Sequence, residues 1–224
     1  MESLHQKIKE LAHARLGKRR CLKADGVDRA PYRSFLKAVT LHLRTEHRTG
    51  HSGTAIVHAR SFMMDQVIEH LFRDLSSFYA EEIPANAQLA AVAFGGYGRH
   101  ELNPQSDVDI MILSENGFRK VGAEPWLESF CSAFHSVLLD LKLKLGYVTR
   151  NISDCVHFAK QDVKTMTSLI EIRLIAGHGP LFLRLRETIL KKCVQGHEND
   201  FLTARLRDQQ QRRHRRCRRQ HRSR

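Results

Sequence analysis

The sequence predicts an α+β fold, a small mixed sheet flanked by helices and followed by a further helical segment. Three observations carry that expectation. Two apolar runs of strand length, residues 89–94 (LAAVAF) and 108–113 (VDIMIL), are separated by Gly95-Gly96 and a short polar stretch containing Pro104. A third run, about 141–149, alternates, with Leu141, Leu143 and Leu145 on one side and Lys142, Lys144 and Gly146 on the other. Between these runs apolar residues recur with helical period.

Taken in order, residues 1–24 read as a basic amphipathic helix with Leu4, Ile8, Leu11 and Leu16 at helical spacing and a solvated charged face. Asp25-Gly26 and Pro31 break it, and 32–46 supplies a second helix. The histidines around the following connection (His42, His47, His51, His58) lack a carboxylate or cysteine at a known metal-ligand spacing. Residues 55–79 place Ile56, Val57, Phe62, Met63, Val67, Leu71 and Leu75 on one side of a long helix suited to cover a sheet. Ile83-Pro84 then delivers the chain into the first strand. After the second strand come a loop at 114–124 and a helix opened by Pro125. The alternating strand follows, then a short helix at 151–160 with Ser153 as N-cap, another at 162–176 ending at Gly177, and a third from Gly179-Pro180 to about 194.

Composition bounds the function. The 224 residues carry 42% hydrophobic side chains, enough for one good-sized core with a small appendage. The formal charge is +13, but eight arginines and no acid lie in residues 211–224, so the rest of the chain carries only +5. The basic excess is mostly a tail, and no specific nucleic-acid partner is expected. Such a tail binds polyanions non-specifically with steep salt dependence. Five scattered cysteines without metal-ligand spacing suit reduced thiols, and with neither a secretory signal nor a membrane-length apolar run the expected location is cytoplasmic, with no membrane contact.

The chemistry concentrates between residues 89 and 113. Asp107 and Asp109 are two apart on a strand, so both carboxylates project to one side, roughly 6–7 Å apart at their Cα atoms. Two like charges so close raise one pKa unless a cation joins them, and Mg²⁺ suits a carboxylate pair that shares it with substrate phosphates. Gly95 and Gly96 let phosphate approach the main chain, with Ser106 and Arg99 as further phosphate contacts. The pattern is neither a Walker P-loop, since no Gly-Lys-Ser/Thr follows, nor a dinucleotide fingerprint.

Gly-Gly, a short spacer and Ser-Asp-x-Asp on a strand resemble the nucleotidyltransferase superfamily of the polymerase-beta type. The fuller string Gly95-Gly96-Tyr97-Gly98-Arg99-His100-Glu101-Leu102, with Pro104 and Ser106-Asp107-Val108-Asp109, is similar to the bacterial PII uridylyltransferases. The similarity runs from about residue 53 to 185. It implies a polymerase-beta-like nucleotidyltransferase fold, with residues 1–54 an N-terminal helical segment, 55–150 the nucleotidyltransferase domain, 151–210 a helical segment completing the nucleotide cleft and 211–224 a basic, disordered tail.

The resemblance further implies transfer of UMP from UTP to a tyrosine of the PII signal protein in nitrogen regulation, with release of pyrophosphate. Asp107 and Asp109 would be the catalytic and metal-binding residues, and Gly95, Gly96, Ser106 and Arg99 the nucleotide-binding ones. Glu171 and Arg173, in the segment matching the cleft, serve either the nucleotide or a structural salt bridge. The pattern departs from the family at Lys144, where the resemblance leads us to expect a third carboxylate, and at the C-terminus. There the phosphohydrolase and glutamine-sensing domains are missing and RRHRRCRRQHRSR reads as a shifted frame with an early stop. The alternative function is therefore a weak or inactive truncated remnant that only binds nucleotide or PII. A nucleic-acid-binding protein, and a superfamily member with another acceptor, are the remaining readings.

Overall fold

In a computed structural model, residues 3–17, 22–23, 26–116 and 124–196 are described, with isolated positions at 198–199, 202–203 and 206. The basic tail and its helical approach therefore lie almost wholly outside the described residues, as do Cys21 and Cys217.

The chain opens with α1 (Leu4–Arg15), capped by the Ser3 hydroxyl, which accepts from the Gln6 N–H at 3.1 Å. The helix expected over 1–24 thus ends earlier, and a short antiparallel pair, β1 (Leu22–Lys23) and β2 (Gly26–Val27), takes its place. Two long helices follow, α2 (Ala30–Arg48) with Pro31 in its first turn and α3 (Gly53–Phe78) capped by Ser52. Then come β3 (Leu89–Ala93), a single helical turn α4 (Gly95–Gly98), β4 (Val108–Ser114), α5 (Pro125–Asp140) and β5 (Leu145–Arg150). The C-terminal part is α6 (Ile152–Gln161), α7 (Val163–Ile170), β6 (Arg173–Gly177) and α8 (Gly179–Ile189), which runs into a π-helical turn at Leu190–Val194.

The four long strands form one mixed sheet in the order β5-β4-β3-β6, with β4 and β5 parallel and the other pairs antiparallel. The parallel pair is joined through α5, the crossover that parallel neighbours require. The sheet has an apolar core on each side. On one, Ala91, Ala93, Val108, Ile110 and Ile112 pack with α1, α2, α3 and α5, where Phe130 meets Phe72 edge-on at 5.4 Å. On the other, Ala90, Val92, Met111 and Leu113 pack with α6, α7 and α8. Each fully buried aliphatic side chain contributes about 1.5–3 kcal/mol, so both cores hold the sheet firmly.

Three expectations need correction. The third strand begins at Leu145, not near 141, because α5 continues to Asp140 and Lys142 takes a left-handed backbone (φ +56°). Asp140 consequently ends a helix, where Arg29 lies 2.5 Å from its carboxylate. The helix expected over 162–176 divides: its second half is β6, an edge strand whose backbone is claimed by β3. Finally, the N-cap of α6 is Asn151, which forms a reciprocal capping box with Asp154 (Asp154 N–H to Asn151 Oδ1, 2.7 Å) in place of Ser153.

Candidate active site

The site lies where β3 ends and β4 begins. The Phe94 N–H donates to the Asp109 carbonyl at 3.2 Å, and the chain then turns through α4. Gly95 and Gly96 occupy the first helical positions, whose N–H groups have no acceptor inside a helix, and no side chain caps them. Gly95 sits at φ +59°, a conformation glycine adopts without strain.

The turn is pinned from beneath. Tyr97 is buried, and its hydroxyl donates to Asp65 Oδ1 at 2.7 Å. Arg173, at the start of β6, grips the same carboxylate through both terminal nitrogens (3.0 and 2.9 Å) and also reaches the Tyr97 carbonyl. Burial, with the Asp65 charge, pushes the Tyr97 phenol well above its usual range, so it stays a donor. Arg173 is therefore structural here. Gly98 permits the closest approach: a Cβ there would stand 2.0 Å from the Glu171 carbonyl oxygen.

Asp107 is exposed and Asp109 is half-buried, on the β4 face shared with Met111 and Leu113. Burial, reinforced by the Asp107 charge, raises the Asp109 carboxyl to about 6. Its seat is made by two glycines. A Cβ on Gly95 would meet Asp109 Oδ2 at 2.9 Å, and one on Gly146, its register partner on β5, would meet Oδ1 at 2.1 Å. A strained carboxylate pair with backbone cleared around it fits a hard cation that completes its shell with substrate oxygens. Among the described residues no third histidine, cysteine or acid joins the pair. Lys144 lies beside them in the backbone, its carbonyl accepting from the Val108 N–H at 2.8 Å.

The remaining expected contacts divide. Arg99 is held by Glu101 (2.9 Å) and by Glu171, both of which raise its pKa, so a phosphate would compete with two carboxylates for it. Ser106 is exposed and opens onto a neighbouring groove lined also by Lys142 and Lys144. On the Asp109 face, a cavity of about 170 Å³ lies between the sheet and α7, lined by Phe94, Met111, Arg150, Lys164, Thr165 and Ser168 among others. Arg150, Lys164 and Ser168 escaped sequence reasoning because only the fold brings them beside Phe94. Gly146 escaped it too, since nothing local distinguishes it from any strand glycine.

Comparisons agree with this architecture. Residues 76–171 match the nucleotidyltransferase domain family. The chain is 36% identical over 130 residues to a bifunctional uridylyltransferase/uridylyl-removing enzyme of Cereibacter sphaeroides, covering 58% of this chain and 13% of that protein. It is 33% identical over 169 residues to that of Vibrio parahaemolyticus (75% and 18%) and 33% identical over 180 residues to that of Burkholderia vietnamiensis (80% and 19%). The chain thus spans less than a fifth of the length of these relatives. Within it, residues 76–171 are a domain of the nucleotidyltransferase family, in a chain that resembles the bifunctional uridylyltransferase/uridylyl-removing enzymes over most of its length.

Proposed function

We propose that this chain transfers UMP from UTP to a tyrosine hydroxyl of the PII signal protein. The observation that carries the reading is the Asp107–Asp109 pair at the entry to β4, with Asp109 seated against Gly95 and Gly146. In the reaction the phenolic oxygen attacks the α-phosphorus, the bond to the pyrophosphate oxygen breaks, and the phenolic proton leaves to solvent. Asp107 and Asp109 would hold Mg²⁺, which when bound neutralises triphosphate charge and favours the ionised nucleophile. Gly95 and Gly96 offer main-chain N–H groups to the phosphates, and Arg150 and Lys164 line the cavity that begins at the adjoining Phe94. These groups are placed before the substrate arrives, so they act by positioning and charge stabilisation.

The test incubates the chain with Mg²⁺, α-labelled UTP and PII, beside Asp107→Asn/Asp109→Asn. Label on PII that vanishes in the double variant supports the reading. Mg-UTP binding without label would instead favour a chain that binds nucleotide and does not turn it over.

A further inference from the structure

On the opposite side of β4 from the carboxylates, two cavities of about 530 and 760 Å³ join through Thr40, Arg44, Arg60 and Pro104 into one groove. It runs between α2 and α3 and ends at Ser106 and Val108, the residues that flank Asp107. Six cations line it: Lys37, Arg44, Arg48, Arg60, Lys142 and Lys144. No carboxylate lines either cavity, and none of the six is ion-paired among the described residues. Arg60 shows the strain: burial first, and the neighbouring Arg44 charge second, push its pKa down, and its Nε is buried without a hydrogen-bond partner. A cluster of like charges with no counter-charge is relieved by an anionic ligand.

The lining also says which kind of anion. Lys37, Leu41, Arg44 and Arg48 follow the i, i+4, i+7, i+11 spacing of a single stripe on α2, and Leu41 is 66% exposed within it. Met63, Met64, Leu102 and Leu143 add an apolar floor. No Phe, Tyr or Trp lines the groove, so it lacks the stacking platform that single-stranded nucleic acid uses. Leucine and methionine beneath a basic rim instead match a polypeptide that alternates acids with apolar residues. The chain's own Arg-rich end and a second copy at +13 carry the wrong charge.

We propose that this groove docks an acidic, leucine-bearing segment of the protein that receives the nucleotidyl group, guiding it past Ser106 to the carboxylate pair. Assigning the segment to the acceptor rests on the function proposed above; the groove's preference for such a segment does not.

The test uses the full chain at about 150 mM salt, where loose charge attraction is screened. Fluorescence anisotropy follows a labelled Glu-Glu-Leu repeat peptide, an all-Glu peptide and a single-stranded RNA, each about 12 units long. The Glu-Glu-Leu peptide should bind tightest. Its Kd should weaken by about tenfold or more in Lys37→Glu/Arg44→Glu and by about threefold in Leu41→Ser, an exposed site that leaves the core intact. Thermal unfolding and UTP affinity, read in parallel, report the fold of each variant. Peptide affinity unchanged in both variants would place binding in the tail and overturn the proposal. So would equal affinity for the all-Glu peptide, or tighter RNA binding lost with the same reversal. These arms need no turnover and stand if UMP transfer fails. Where transfer occurs, the reversal should raise KM for the acceptor far more than it changes kcat, and an unchanged KM would remove the acceptor assignment alone.

Discussion

The two faces of β4 share one backbone and do different work. Val108, Ile110 and Ile112 are at most 4% exposed and lie in the larger core with α3 and α5. The other face begins with Asp107 and Asp109 and turns apolar only at Met111 and Leu113, under the C-terminal helices. Strand side chains alternate strictly, so a slip of one residue would exchange the two sets. The apolar face therefore fixes the register, and that register holds Asp109 in a place it resists, where burial and Asp107 disfavour its charge. The Val108 face is apolar throughout, whereas the Asp109 face is apolar only at its far end and gives its start to the candidate site.

The strongest way to break this comparison is to exchange the effects of the two faces. Asp109→Asn should lower UMP transfer by on the order of 10³-fold, about 4 kcal/mol of barrier, while leaving thermal stability unchanged or higher. Ile110→Ala should do the reverse. A fully buried isoleucine cut to alanine costs about 2–5 kcal/mol of folding stability, with turnover per folded molecule largely kept. Urea unfolding and single-turnover assays on the two variants decide it. If Asp109→Asn unfolds as readily as Ile110→Ala, the division of labour is wrong.

The core-facing side of this strand is also the part the sequence declares. Apolar runs at Leu89–Ala93 and Val108–Ser114, and the helical period of α3, are local patterns that tertiary packing only reinforces. The edges are different. In TSLIEIRLIAG the apolar residues suit helix and strand alike, and β6 is decided by hydrogen bonds to β3, some eighty residues earlier in the chain. Alternation at 141–144 suggested strand, but α5 still claims Asp140, and Lys142 turns the backbone before pairing with β4 begins at Leu145. The carboxylate pair could be named from its spacing, whereas the space around it could not. Gly146 is opposite Asp109 only through the parallel register of β4 and β5, and Glu171 reaches Arg99 only once α4 is folded against the end of α7.

Gly146→Ala sharpens the point, because it adds one methyl to a neighbouring strand and replaces neither acid. That methyl would lie 2.1 Å from Asp109 Oδ1, so the carboxylate must swing aside. Transfer activity should fall by about 10–100-fold, as small displacements at a reacting centre do, with a stability loss near 1 kcal/mol. Activity equal to the parent would mean that the seat of Asp109 is not what positions it.

The smallest effect isolates the electrostatic cost of the polar face. In the metal-free folded chain Asp109 loses its proton only near pH 6, against an ordinary value of 3.8. Between these values the folded state holds a proton that the unfolded chain has released, so folding stability should fall as pH rises from about 4 to about 6 and level off above. Two units correspond to about 3 kcal/mol, which partial exposure and solvent screening reduce to about 1–2 kcal/mol. Asp109→Asn has no charge to bury there. The difference in unfolding free energy between variant and parent should therefore grow through this window in favour of the variant. A saturating divalent cation should shrink or reverse that difference above pH 6, because it binds only the folded, ionised parent. Parallel pH curves for the two proteins would show that Asp109 is comfortable where it sits, and that the apolar face holds nothing against its inclination.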